Sequence, residues 1–339
     1  MAYQDKRRIN GLVGPVVRTA GRLWWVYALV LLTGTVSRPA LAASVEDPVA
    51  VADWTLPQAS RATEPVDPVS YGPAALPDQA PAALPDPRYD SFGRQAGAVK
   101  WEVGGILAYM TVTQALVTKE TRSFHFQDEG WFGKDTTNLG VDKLTHAFNS
   151  YLLTELLTAR IERKAGPVPG AAVTAAALAS GLMIYSELWD AHKVSSGFSP
   201  QDVLFNTGGA ALSILRHTVP GLKQKLDFRL LLIPNSDIIT LKGKRHYEQQ
   251  RFMFALKLAG FDSMAQSPAR FVELHAGYRA SGFTNEDRAR GAPLRRRIFV
   301  GVGVNLKDLF FPNPRSILGR AARTTLDYIQ IPYTAVHID

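Results

Sequence analysis

The sequence predicts an α+β protein, a four-helix membrane-associated unit followed by a small antiparallel β-sheet, and three observations predict it. Between about residues 96 and 222 the chain carries four segments of helical period or unbroken apolar character. From about residue 224 the apolar residues recur at every second position instead, the period of a strand. Ahead of both lie an apolar leader and a proline-rich stretch that belong to neither pattern.

Residues 1–22 are basic and polar, and Leu23–Val36 is an uncharged run of 14 residues. A bilayer span needs about 20 residues, whereas the core of a signal peptide needs about 7–15. Pro39 ends the run, and Ala40-Leu41-Ala42 supplies small residues for cleavage after Ala42. Residues 1–42 are therefore assigned as a signal peptide, with an uncleaved N-terminal anchor as the alternative. The expected location is the periplasm or a membrane, the outer favoured over the inner. Residues 43–95 are rich in Pro, Ala and Asp, with Ala-Ala-Leu-Pro-Asp at 74–78 and again at 82–86. Proline fixes the backbone without apolar periodicity, which predicts a disordered tether.

The spacing predicts helices over about 96–118, 141–163, 168–190 and 200–216, the last ended by Pro220. Val168–Tyr185 carries no charge over 18 residues. Within it Ala172, Ala176 and Ser180, like Ala177 and Gly181, recur at four-residue intervals that let helix backbones approach. Gly208 and Gly209 suggest a second close approach, and both membrane embedding and an alanine-rich soluble bundle fit. Phe252 to Leu258, Val272 to Tyr278 and Ile298 to Val304 alternate in apolar character and read as antiparallel strands, with another near 326–338. A membrane barrel needs at least about eight such strands. The helical unit is thus bounded at 96–222 and the strand region at 223–339.

The formal charge of +8 looks like a nucleic-acid signal until it is located. Residues 1–42 hold six basic side chains and one acid; without them 32 basic and 29 acidic residues remain. The residual excess sits in Arg288, Arg290, Arg295, Arg296 and Arg297. This excludes a general nucleic-acid binder and leaves a local anionic partner, such as lipid headgroups or another envelope component. The chain has no cysteine, so disulfides, thiolate metal sites and a cysteine nucleophile are excluded.

Ionisable residues fall on helices where apolar ones are expected. Asp142 and His146 lie four apart, with Lys143 beside them and Asn149 and Ser150 one turn on. Glu187 and Asp190 end the third helix, and Asp202 and Asn206 share a face of the fourth. Carboxylates, an imidazole, an ammonium and an amide at one end of a bundle can hold a divalent metal, grip a phosphate or exchange protons. Bland readings stand beside these: Ser199 with Asp202 resembles a capping box, Asp142 complements a helix dipole, and Asp142 with His146 or Glu187 with Lys193 form ion pairs. A lone histidine argues against a zinc site. The loop Phe124–Phe132 is aromatic and acidic, either an interfacial belt or packing.

Asp128-Glu129-Gly130-Trp131-Phe132-Gly133, Asp142-Lys143-Leu144-Thr145-His146, Glu187, Asp190, Gly197-Phe198-Ser199, Asp202 and Asn206-Thr207-Gly208-Gly209 resemble the YfiM-like family of predicted periplasmic lipoproteins of unknown function. The Asp-Lys-x-x-His, Glu, Asp-x-x-x-Asn-x-x-Gly skeleton is also similar to VanZ-like membrane proteins, some of them linked to glycopeptide resistance. The resemblance covers about 120–215 and implies an envelope location and a four-helix unit, with no established activity. The absence of cysteine departs from the lipidation that the family name implies. Two functions follow as expectations: a structural or ligand- and lipid-binding envelope protein using Asp142, Lys143, His146, Glu187, Asp190, Asp202 and Asn206, or a membrane-associated hydrolase, metal-dependent or phosphate-recognising, acting on an envelope lipid.

Overall fold

The computed structural model describes residues 84–235, 239 and 243–338; the signal segment and residues 43–83 of the tether lie outside them. Ordered structure begins earlier than composition predicts. The Asp86 carboxylate caps a turn at Pro87–Tyr89, and Phe92–Ala98 forms α1. Buried Gln95 of α1 donates to the carbonyls of Tyr89 and Pro169 and accepts from the Thr174 hydroxyl. The end of the expected tether is thus tied down by the Gln95 amide, by the Asp86 N–H on the Ala165 carbonyl and by Tyr89 packed on the helical core.

The long helices are α2 (Lys100–Val117), α3 (Val141–Ala165), α4 (Ala171–Asp190) and α5 (Pro200–Thr218). Their ends follow local chemistry. Asp142 sits in the first turn of α3 and Arg163 and Lys164 in its last, each complementing the helix dipole, and Gly166 ends it at φ 75°. Pro200 opens α5 where its missing N–H is harmless, and the Ser199 hydroxyl accepts from the Asp202 N–H at 3.2 Å.

The α3 helix packs against both α4 and α5. Gly209 lets α5 come close: a Cβ there would lie 1.9 Å from the Ala147 carbonyl oxygen of α3, whereas one at Gly208 would meet nothing. Ala172 and Ala176 are buried, but Ala177 and Gly181, read from spacing as a second contact stripe, face outward. By length and composition α4 is the one helix among the described residues able to cross a membrane, and half of its apolar window is buried within the fold. The α+β class holds; a four-helix membrane unit does not follow from this arrangement.

The strands are β1 (Leu226–Leu232), β2 (Gln250–Lys257), β3 (Val272–Ser281), β4 (Arg295–Val304), β5 (Ile329–Gln330) and β6 (Ala335–Ile338), in one sheet ordered β5-β1-β2-β3-β4-β6. Neighbours pair antiparallel except β1 and β5. The outermost strands are joined by residues 331–334 alone. At full stretch that link spans roughly 18 Å. Six flat strands would separate β5 from β6 by about 24 Å. The sheet must therefore curl, bringing its edges together.

Curling gives the sheet an inner face that carries a charged network beside an apolar cluster of Leu231, Met253 and Phe299, and an apolar outer face. Inside, Arg229 donates to both oxygens of Glu273 at 2.6 and 2.9 Å, to Asp227 at 2.7 Å and to Gln330 at 3.0 Å. Fully buried Ala255 of β2, between β1 and β3, leaves room for that reach. Asp227 also takes Lys257 at 2.7 Å and Arg216 of α5 at 2.8 Å. Outside, Phe228 and Phe252 pack on Phe148 and Tyr151 of α3, which joins sheet and helices into one core.

Candidate functional site

The site is built at the starts of α3 and α5 and the end of α4. Leu139 and Gly140 set the start of α3, both with left-handed backbone, φ 54° and 82°. Such a conformation is strained for leucine and persists only where surroundings enforce it. Here the Leu139 side chain is fully buried and its carbonyl accepts from the Tyr278 hydroxyl of β3 at 2.5 Å. A Cβ at Gly140 would strike the Phe132 ring at 2.2 Å. The sheet and the aromatic loop thus fix the turn that aims Asp142, Lys143 and His146.

Lys143 is fully buried and has three carboxylates around its ammonium: Glu129 at 2.7 Å, Asp202 at 2.8 Å and Asp142 at 3.0 Å. Burial opposes the charged form, but Asp142 and Asp202 outweigh it and hold the ammonium well above the ordinary lysine value. Glu129, Asp142 and Asp202 have the spacing of a metal set, yet Lys143 already supplies their cation.

His146 lies between two other carboxylates, Nδ1 3.5 Å from Glu187 and Nε2 3.7 Å from Asp202. Both separations exceed a good N–H···O bond. Burial opposes its protonation, but Asp202 and Glu187 raise its pKa above the ordinary value. Burial drives Glu187 up to about 7, His146 pulls against it, and Asp202 and Asp190 add to the rise. Asp202 goes the other way: burial would raise it, but His146 and Lys143 hold it low. One pair of neighbouring carboxylates thus divides into a proton-holding member and an ionised one.

Asp202 departs from the capping-box reading. Its N–H is capped by Ser199, but its carboxylate turns to Lys143 and His146. The proposed Asp142–His146 and Glu187–Lys193 pairs do not form; Asp142 pairs with Lys143, and Lys193 pairs with Asp190 and accepts no share of Glu187. Asp190, placed by spacing with the cluster, is engaged by Lys193 and influences Glu187 only through its charge. Asn206 lies one turn beyond Asp202, 2% exposed, with neither side-chain atom hydrogen-bonded.

The sequence places Glu129 in the acidic aromatic loop and in a motif of the family resemblance, but not in the polar cluster. Its role depends on how that loop returns: Phe198 exchanges backbone hydrogen bonds with His125 and Gln127, and Gln201 donates to Asp128 at 2.5 Å. Phe132 packs on Phe205 and Tyr278, whereas Phe124, Phe126 and Trp131 stay half exposed. The loop is therefore partly packing. A second polar network has no sequence signal at all: Arg216 of α5 joins Glu155 of α3 at 2.7 Å and Asp227 of β1 at 2.8 Å.

A family model described as "Predicted periplasmic lipoprotein (DUF2279)" matches residues 128–218. That segment runs from the Glu129 loop to the end of α5 and contains the whole cluster. It is therefore similar to a family of exported, envelope-associated proteins, in agreement with the leader. The lipid attachment named in the description has no cysteine to receive it here. The VanZ-like resemblance has no counterpart among these findings. No curated protein and no solved structure matches the chain.

Proposed function

We propose that this chain is a membrane-associated cell-envelope protein that holds a ligand, and that His146, Glu187 and Asp202 bind a divalent cation at the junction of α3, α4 and α5. The observation that carries the reading is a set of unmet polar atoms. His146 Nδ1, Glu187 Oε1 and both side-chain atoms of Asn206 are buried with no hydrogen-bond partner among the described residues. Each such atom costs about 1–3 kcal/mol if nothing satisfies it. The ligand atoms of His146, Glu187 and Asp202 lie within 4.8 Å of one another. One imidazole and two carboxylates suit manganese or iron better than calcium, and zinc, with its preference for more nitrogen or sulfur ligands, less well. Asp202 is shared with Lys143, which sits on its Oδ1, so the atoms turned toward a cation are His146, Glu187 and the other Asp202 oxygen, Oδ2.

Exposed apolar side chains on the helical unit, Trp101, Val112 and Leu116 of α2 and Val173 of α4 among them, support contact with a membrane. The outer membrane and a distant VanZ-like ancestry belong to the same reading. Titration of the purified chain with Mn²⁺ and Zn²⁺ by calorimetry tests the cation site. Micromolar binding lost by at least tenfold in Glu187→Gln and Asp202→Asn, and kept in Asp190→Asn, is expected. No binding, or equal binding in all variants, would reduce the cluster to a structural network.

A second reading is a hydrolase acting on a phosphate-bearing envelope lipid. It is favoured by Glu187 near neutrality beside a histidine of raised pKa, the poise of an acid–base pair. Phosphate release from such a lipid, abolished by His146→Ala with an unchanged fold, would establish it.

A further inference from the structure

The outer face of the curled sheet is covered by the helical unit over β1, β2 and the Tyr278–Ala280 end of β3. Beyond it the register places Val300 between Ala276 and Ile338, and Val302 between Leu274 and Val336. These side chains form one apolar wall across β3, β4 and β6. Along its centre Ile298, Val300, Val302 and Val304 are between 40% and 76% exposed, and at its edge Val336 and Ile338 exceed 70%. Scattered apolar residues on a surface are ordinary, but a contiguous wall over three strands marks a contact face. The inward-pointing partners on the same strands include Glu273 and His275, both buried. Only the outward half of the alternation, an unbroken apolar row on each strand, is the pattern of strands that face lipid; inward, Phe299 packs with Leu231 and Met253 beside the charged network.

The wall ends in positive charge. Arg295, Arg296 and Arg297 are exposed at the first three positions of β4, directly before Ile298. The connection from β3 to β4 adds Arg288 and Arg290 at the same end. Of these, Arg290 is paired with Asp287, and alternation turns Arg295 and Arg297 to the face of Phe299. Arg296 shares the face of Ile298, and its hydrogen bond to the neutral Phe132 carbonyl leaves its charge in place, while no carboxylate pairs with Arg288 or Arg296 among the described residues. An apolar surface rimmed by arginines complements acyl chains beside anionic headgroups: the aliphatic stems lie along the apolar part and the guanidiniums reach phosphates.

We propose that the wall formed by β3, β4 and β6 lies on a phospholipid bilayer, with Arg288 and Arg296 on anionic headgroups at its edge. This surface is separate from the cation cluster, so the two proposals fail independently. A partner protein would also accept an apolar wall; the adjoining unneutralised arginines are what single out an anionic bilayer.

The absence of cysteine makes the test site-specific. Val302→Cys, at an exposed position on the wall, accepts a single polarity-sensitive fluorophore, and far-UV circular dichroism checks that the fold is kept. Vesicles of phosphatidylcholine with about a third phosphatidylglycerol are expected to shift its emission to the blue, and brominated acyl chains to quench it. Charge reversal of Arg288 and Arg296 together should weaken the partition at least tenfold, since each basic residue at a surface contributes about fivefold. Raising the salt to about 0.5 M should weaken it further. An unshifted label, even on a chain that co-floats with the vesicles, would overturn the proposal by showing that another surface binds. A blue shift that grows with protein concentration without vesicles would overturn it too, assigning the wall to a second copy of the chain.

Discussion

Replacing Lys143 with Met isolates what the buried ammonium does. The side chains are similar in length, so packing changes little while three carboxylates at 2.7–3.0 Å lose their common partner. Breaking a buried ion pair from one side costs about 3–5 kcal/mol. Glu129 retains 24% of its side-chain exposure and Asp142 13%, and water reaching them places the loss near the lower end. For a unit of this size 1 kcal/mol moves the melting temperature by about 2–4 °C, so a drop of about 6–12 °C is expected.

The loss also has a sign with pH. In the parent chain Asp202 is held below its ordinary value, so it contributes stability above that value and loses it as the medium turns acid. Without Lys143 the crowded carboxylates rise above their unfolded values, and protonation then favours the folded state. The deficit should be largest near pH 8 and shrink toward pH 5. Millimolar Mn²⁺ should recover part of it, because Glu129, Asp142 and Asp202 are spaced to ligate a cation once the ammonium is gone. Melting curves by circular dichroism at both pH values decide the matter. A loss under about 2 °C, or one equal at pH 5 and pH 8, would refute the claim that Lys143 neutralises this trio.

Other substitutions probe the frame around the site. Gly209→Ala should lower stability by about 2 kcal/mol or more through its clash with Ala147, while Gly208→Ala should be neutral or raise it by up to about 1 kcal/mol; paired urea melts measure both. Arg229→Leu should cost about 3–5 kcal/mol by stranding Glu273, and adding Glu273→Leu should restore much of it, read as a double-mutant coupling of at least about 2 kcal/mol. Burial would raise Glu155, but the His217 contact and the Arg216 charge bring it down to about 2. Its contribution, roughly 3 kcal/mol, is complete above pH 4.5 and vanishes as pH falls toward 2. Urea midpoints at pH 7 and pH 3 should therefore converge more in Glu155→Gln than in the parent chain.

The period of the apolar residues determined the class of this protein. Helices near 141–163, 168–190 and 200–216 and strands through Phe254, Leu274 and Val302 follow from local repeats of 3.6 and 2, and the observed elements lie within a few residues of them. The Asp142–His146 spacing likewise placed two side chains on one helix face without any tertiary knowledge. Other features depend on contacts between residues far apart in the chain. Glu129 reaches Lys143 only because its loop pairs with 197–198. Lys193 is held by Gln114 of α2, 79 residues away, and from there takes Asp190 out of the cluster. The short β5 and β6 close the curl because four residues span the sheet's two edges, which turns alternation along β4 into a buried inner row and an apolar outer wall. Local sequence sets which face of an element is apolar. Which of two apolar faces is covered, and which carboxylate an ammonium meets, is decided by the free energy of burying one arrangement over another, a quantity that exists only once the elements have packed.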